Sequence, residues 1–379
     1  MVDVVVVGAG PLGSATARHL AQRGLQTALV GPGFGQTDVV HSSHHDQGRV
    51  CRRIDRVSTW TLLNVCSLAN LEELEAQVGY PVRRPVGCLF ASNMPDHAWF
   101  AAAPELEVEA SIARAWPYAL PGAVRFGLEG PPAGILLVPT LLKAQHEALR
   151  LAGGTRHVTT LVERTHRDGV HRLRLANGEA LRTPKVVLCT GAYANAWLDE
   201  PLDVVLETET TLLIPVDEGT ARSFSEVPTL LWDGQGPGWS SPYVVPPLRF
   251  ADGQWVLKLG CDLDLDQRFT EVHEVDAWFR HGDSEIQRPA LLDAARTVFP
   301  DRSFSGARTS RCILTRTPHA HPMIGEVAPG CFIGIGGHGW GAMASDGIGE
   351  HIAHAVISEP SPALPFEHCA VRWRNRRTP

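Results

Sequence analysis

The first 24 residues, MVDVVVVGAGPLGSATARHLAQRG, constrain the fold more than any other stretch of the chain. Val4 to Val7 form an unbroken β-branched run, which suits a strand buried on both faces of a parallel sheet. Gly8-Ala9-Gly10-Pro11-Leu12-Gly13 follows directly, and Ser14 to Arg23 read as a helix stopped by Gly24. Strand, G-x-G-x-x-G and helix in this order describe a dinucleotide cradle. Gly8 permits the tight turn, Gly10 lets the backbone approach a pyrophosphate, and Gly13 lets helix and strand pack closely. The free N–H groups and positive dipole end of the helix favour that phosphate. A glycine-rich turn without a ligand is the plainer alternative, but it does not require a buried strand on one side and a helix on the other.

The rest of the composition narrows the class. At 379 residues, 44% hydrophobic and 20% charged, the chain is long enough for about two domains with real cores. A net charge of −7 leaves no basic footprint for nucleic acid. No apolar run approaches the length of a membrane span, and a strand beginning at residue 2 leaves no room for a signal peptide. Eight cysteines without C-x-x-C spacing suit mostly buried thiols in a reducing cytoplasm. Three histidines within 41–45 and the pair His319 and His321 raise the question of a metal. No third-ligand spacing accompanies them, so no metal is expected. The basic tail at Arg372, Arg374, Arg376 and Arg377 reads as a solvated terminus.

Leu25 to Val30 reads as the second parallel strand. The acid that usually follows it to bind the adenosine ribose is replaced by Gly31. Residues 41–55 form a polar loop without period, and Trp60 to Val78 a helix with Leu68, Leu71, Leu74 and Val78 on one stripe. Pro81 to Ser92 reads as strand, 95–132 as Pro- and Ala-rich with short helices, and Ile135 to Val138 as strand. Pro139-Thr140 then opens a helix to Leu151. Asp168-Gly169 and Asn177-Gly178 are hairpin signals in a small meander over 157–189, whose end, Lys185 to Cys189, can rejoin the parallel sheet. Segments 205–215 and 230–259 read as β-rich, 286–298 as helix, and 305–314 and 331–335 as strands. Gly336 to Gly341 then forms a loop before a helix over 342–357. The expected class is α/β: a doubly wound dinucleotide domain interleaved with a β-rich antiparallel one.

Four stretches in this order, the opening motif, HSSHHDQGRVCRRID, VVLCTGAYANAWL, and RCILTRTPHAHPMIG with GGHGWGAMASDGIGE, give the chain a wider likeness. It resembles the flavin-dependent amine oxidases of the D-amino-acid-oxidase superfamily, and within them the monomeric sarcosine oxidase and N-methyl-amino-acid oxidase group. The likeness runs nearly the whole length. It implies FAD as cofactor, an FAD-binding domain over 1–78, 139–204 and 305–379, and a substrate domain over 79–138 and 205–304.

Residue by residue, the resemblance makes Cys312 of Cys312-Ile-Leu-Thr315-Arg-Thr317-Pro318 the site of a covalent 8α-thioether to FAD. A thiolate is a competent nucleophile toward an electron-poor flavin methyl group, whereas a lone strand cysteine is otherwise most often core. Lys258 in Trp255-Val-Leu-Lys-Leu-Gly260 matches the lysine that assists O2 activation. Read by period alone, it is a solvent-facing residue of a half-exposed strand. Arg49 corresponds to a position beside the flavin ring. Arg52 corresponds to the partner of the substrate carboxylate, which a guanidinium fork fits in bidentate fashion. The plainer reading of Arg52 is a surface ion pair. His45 is a candidate wall or proton-relay residue. Tyr243 and Trp340 are candidate pocket walls, and Gly8, Gly10, Pro11, Leu12, Gly13, Ser43, His44, Val162, Gly191, Gly337, His338, Gly339 and Gly341 complete the implied FAD contacts. The helix after GGHGWG is implied to aim its N-terminus at the flavin pyrimidine ring.

Two departures bear on substrate. Gly341 stands where the family has a second carboxylate-binding lysine, and Asp262 where it has a histidine. A pocket that loses a cation and gains an acid favours a bulkier or more cationic amine over a small amino-acid anion. The expected reaction is oxidation of an amine or amino-acid derivative, with hydride passing from the carbon bound to nitrogen to flavin N5. The imine is released, and O2 returns as H2O2. A dehydrogenase passing electrons to a carrier, a nicotinamide-dependent reductase and a non-catalytic flavin-binding protein are the alternatives. The expected molecule is cytoplasmic, a monomer or small homo-oligomer, and handles a small amine.

Overall fold

In the computed structural model, residues 1–34, 46–361 and 365–375 are described. The elements that carry the site are, in chain order, β1 (Val4–Val7), α1 (Pro11–Gln22), β2 (Thr27–Gly31), β3 (Gly48–Cys51), α2 (Ser58–Val78), β4 (Gly134–Leu137), α3 (Val138–Leu151), β5 (Thr155–Val158), β6 (Lys185–Leu188), β7 (Val205–Val216), β8 (Trp239–Arg249), β9 (Trp255–Leu263), β10 (Arg308–Arg316), β11 (Met323–Ala328), β12 (Cys331–Ile335) and α4 (Ser345–Ile357).

β1 is central to a six-stranded sheet of order β11-β12-β6-β1-β2-β5. Every pairing is parallel except that of β11 on β12. The valine run is buried throughout, as a strand covered on both faces must be. Val4 and Val6 face the layer that holds Leu20 of α1 and Ile348 and Ile352 of α4. Val5 and Val7 face Leu161, Leu173 and Leu175 of an antiparallel meander over 161–183, together with Trp278. One side of the sheet is thus helical and the other is closed largely by the meander.

α1 begins at Pro11, three residues before the expected Ser14. Proline at N1 loses no intrahelical bond and pre-sets the helical φ. Gly8 has φ +110°, and a Cβ there would stand 2.2 Å from the Cys189 carbonyl oxygen. At Gly13 a Cβ would stand 1.9 Å from the Gly8 carbonyl oxygen. Only glycine at these positions lets α1 lie this close to β1 and β6.

The second large sheet has nine strands, and β7, β9 and β8 lie side by side in it with β10 also paired to β7. Its further strands are 268–269, 235–236, 229–232, 88–92 and 125–129. The last lies inside the Pro- and Ala-rich stretch, where no strand was expected, and Phe126 and Leu128 give it an alternation that the surrounding prolines mask. The expected strand 81–92 is split into 83–84 and 88–92, because Pro85 cannot donate to a ladder and Gly87 turns the chain at φ +84°. Across the sheet the backbone register sets Glu209 opposite Cys312 and Leu213 opposite Lys258.

Candidate active site

A cavity of 570 Å³ opens from the Gly8–Leu12 loop, passes between the two sheets and ends against β8, β9 and β10. Its volume lies within the ordinary range for ligand sites.

At the nucleotide end, Gly8, Gly10, Pro11, Leu12 and Gly191 line the wall, while Gly13 lies behind it and sets the helix–strand distance. A Cβ at Gly31 would stand 2.5 Å from the Ala9 amide nitrogen, so the usual acid has no room on this backbone. Thr190, at the end of β6, turns a buried Oγ1 toward this region without a partner among the described residues. A bare glycine cradle with an orphaned hydroxyl beside it fits the phosphate and ribose portion of a dinucleotide. Val162 does not take part: it is 43% exposed on the meander, and Thr160 and Leu161 line the cavity in its place. The strand alternation turns Leu161 inward and Val162 to solvent. Ser43, His44 and His45 lie outside the described residues.

At the other end, the Gly336–Gly341 loop brings Gly337, His338, Gly339, Trp340 and Gly341 to the wall. The Trp340 and Gly341 amides both donate to the Gly337 carbonyl at 2.7 Å, which curls the loop on itself. A Cβ at Gly341 would stand 2.7 Å from Gly337 Cα, so a side chain at this position requires the curl to open. His338 is buried, and its Nε2 lies 2.8 Å from Thr317 Oγ1. Burial, and then the Arg316 charge, push its pKa down to about 4. α4 begins at Ser345, not at Ala342, because residues 340–344 are spent on this turn. Its first turn is anchored from outside. Gly347 N–H donates to Ser67 Oγ of α2 at 2.8 Å, and the Asp346 carboxylate pairs with Arg18 of α1 at 2.6 Å. Burial alone would raise Asp346; Arg18 and His19 outweigh it and hold the carboxyl at about 2. Ala342 and Met343, just before the helix, reach the wall.

Between the two ends stand the charged groups. β3 carries Arg49 and the strand's exit carries Arg52; both line the cavity. Arg52 is buried and ion-paired to Asp55, while its Nε has no partner among the described residues. Lys258 of β9 is 4% exposed, because both faces of β9 are covered. Its Nζ donates to Asp46 Oδ2 at 2.7 Å and to the Gly48 carbonyl at 3.0 Å. Burial, and then the Arg49 charge, push its pKa well below the usual lysine range. Tyr243 of β8 donates to Glu209 at 3.0 Å. It lies flat over Gly260, where a Cβ would stand 2.5 Å from its ring. Asp262 faces the open cavity; burial, and then Glu209, raise its carboxyl.

Cys189, Cys261 and Cys312 all line the cavity. Cys189 and Cys261 are buried, and burial pushes the Cys189 thiol up to about 12. Cys312 is half-buried and faces Glu209 across the β7–β10 ladder.

Sequence reasoning did not single out Glu209, Asp46, Arg56, Trp99 or Trp232, all of which line the same cavity. Glu209 left one trace: in Val205-Leu-Glu-Thr-Glu-Thr210 the two acids fall on one face of a strand otherwise of buried type.

The model of the FAD dependent oxidoreductase family, DAO, matches residues 3–355. The chain belongs to this family. Among curated proteins it is 24% identical over 383 residues to the monomeric sarcosine oxidase of Streptomyces avermitilis, covering 94% of each chain. Among solved structures it superposes on NikD, described as an unusual amino acid oxidase essential for nikkomycin biosynthesis, with TM-score 0.79 at 20% identity. That match covers 100% of this chain and 99% of the other. Amadoriase I of Aspergillus fumigatus, a fructosyl amine:oxygen oxidoreductase, matches with TM-score 0.72 at 18% identity, covering 97% and 89%. The α/β architecture and the FAD-dependent oxidoreductase class foreseen from the sequence are both borne out. No helix among the described residues is long and apolar enough to cross a membrane.

Proposed function

We propose that this protein is an FAD-dependent oxidase of an amine or amino-acid derivative that returns electrons to O2. The observation that carries the proposal is the meeting of Cys312, Lys258 and the pair Arg49 and Arg52, from three distant stretches, on one cavity that begins at the glycine loop. In this reading the parallel sheet and its helices bind FAD, and the segments 79–138 and 205–304 shape the substrate end.

Bound FAD supplies the acceptor for the hydride leaving the substrate carbon. The chain's own residues do the rest. The curled 336–341 loop and the Gly8–Leu12 loop would hold the cofactor's two ends, and the half-buried Cys312 would be its covalent attachment point. Lys258 and Arg49 place positive charge in a dry wall, where it stabilises the anionic character that O2 takes on as it accepts electrons. The amine loses two electrons and two protons to become the imine, and O2 gains them as H2O2. Arg52 and the walls of Tyr243, Trp99, Trp232 and Trp340 orient the substrate, so the chemistry rests on positioning more than on a strong base. Asp262, without a partner among the described residues and lining the cavity, together with the absence of a cationic side chain at Gly341, favours an amine bulkier or more cationic than sarcosine.

A panel of N-methyl amino acids, diamines and aryl-alkyl amines, read by amine-dependent peroxide formation, tests the reading. A cationic or bulky amine is expected to support turnover better than sarcosine. Bleaching of the bound flavin by an amine with slow recovery in air contradicts the oxidase assignment and favours a dehydrogenase.

A further inference from the structure

Asp46 carries no role that the sequence alone assigns, yet it stands between the two cations of the cavity wall. Its carboxylate accepts from Lys258 Nζ at 2.7 Å and is ion-paired to Arg49. We propose that Asp46 is a positioning residue whose carboxylate binds Lys258 and Arg49 into one charge cluster and holds the Lys258 ammonium charged and aimed at the cavity. This rests on the oxygen-facing reading of Lys258 given above.

The geometry argues for it as follows. An ammonium buried on a strand covered on both faces is costly unless it is paired and its N–H groups are satisfied. Lys258 has three N–H donors. Asp46 and the Gly48 carbonyl take two. The third has no acceptor among the described residues, and the side chain lines the cavity. The Gly48 carbonyl is fixed by β3 and cannot discriminate between ammonium and amine by charge; Asp46 can.

The groups facing Lys258 are Asp46 and Arg49 from the β3 side, Glu209 from β7, Tyr243 from β8 at 5.6 Å from the ring centre, and Cys312 from β10. Burial, and then Arg49, oppose the charge. Among the acids around it, Asp46 is the one in hydrogen-bond contact with Nζ. Lys258, Arg49 and Asp46 together carry one positive charge, the Glu209 carboxylate lies beyond hydrogen-bond contact with Nζ, and the unused N–H of Lys258 is the donor that an anion in the cavity meets. Removing the carboxylate leaves two like charges in one dry wall, and the lysine is the one that releases its proton, because a guanidinium does not.

The test uses the loaded protein and three variants, Asp46→Asn, Asp46→Glu and Lys258→Met. The first readout is acetylation of Lys258 by acetic anhydride, followed by peptide mass spectrometry across pH, because only the neutral amine reacts. The second is the rate at which the anaerobically reduced protein reoxidises in O2, also across pH. Asp46→Asn is expected to move the acetylation profile down by at least about one pH unit, a tenfold rise in labelling at fixed pH. The alkaline loss of reoxidation is expected to move in the same direction, and Asp46→Glu to restore both in large part. An unshifted acetylation profile in Asp46→Asn overturns the proposal, even if Lys258→Met slows reoxidation, and so does a profile that Asp46→Glu leaves shifted as far as Asp46→Asn does. Conversely, a shifted profile with Lys258→Met reoxidising at the normal rate leaves Asp46 as the positioning group and removes the oxygen role of Lys258.

Discussion

Substituting Gly13 by alanine tests whether the glycine loop is a spacing device. The added Cβ would stand 1.9 Å from the Gly8 carbonyl oxygen and 3.0 Å from Cys189 Cβ. The first contact is with backbone, so no side chain can swing aside. α1 must retreat from β1 by about 1 Å, judged against the closest approach that core packing tolerates. Overpacking of this kind costs about 1–3 kcal/mol in stability. It also moves the helix start that offers its N–H groups to the pyrophosphate, where a misplacement of about 1 Å can weaken function about 100-fold. The assay is the ratio of flavin absorbance to protein absorbance after purification, together with thermal melting with and without added FAD. Gly24→Ala is the control: it has φ +87° but nothing within 4 Å of its Cβ, so it suffers backbone strain without displacing the helix. Gly13→Ala is expected to lose most of its flavin and Gly24→Ala to keep it. Equal flavin content and equal melting shifts in the two variants refute the spacing argument.

Three further outcomes are expected. Asp346→Asn leaves Arg18 buried at 2% exposure without its carboxylate, so chemical denaturation should show a loss of about 3–5 kcal/mol; a loss under about 1 kcal/mol contradicts it. His338 and His351 are held neutral by burial, which pushes each pKa down to about 4, below the ordinary value of 6.5. A base whose folded pKa is depressed stabilises the fold above pH 6.5 and loses that stability as pH falls to 4, on the order of 2–3 kcal/mol each. Melting temperatures should therefore decline across that window and recover in His351→Phe relative to wild type. Cys312→Ser should release all flavin into the supernatant on acid precipitation, whereas the wild-type polypeptide keeps it through denaturing electrophoresis; flavin lost from both refutes the thioether.

The local chemistry of the chain was largely legible, and what came together across long separations was not. The valine run, Gly8, Gly13 and the second glycine loop announced the cradle because each meets a backbone demand that few residues satisfy. The period of Trp255 to Gly260 left Lys258 ambiguous, since alternation reports which face a residue is on and not whether that face is covered. The Asp346–Arg18 pair joins residues 328 apart, and Asp46 meets Lys258 across 212. Neither spacing leaves a local period. Gly31 was visible as a departure, but its cause, contact with Ala9, required the backbone. Likewise Gly341 looked like the loss of one lysine, and the fold shows a loop that would have to uncurl to take a side chain there.

The measurement that tests the account most directly is an anaerobic titration of the purified protein with a bulky or cationic secondary amine, followed in the visible spectrum and then opened to air. The account predicts a flavin spectrum that bleaches to the two-electron reduced form in proportion to amine, recovers rapidly on admission of O2, and yields one peroxide per flavin. A colourless protein, or a flavin that no amine across the panel bleaches, contradicts it.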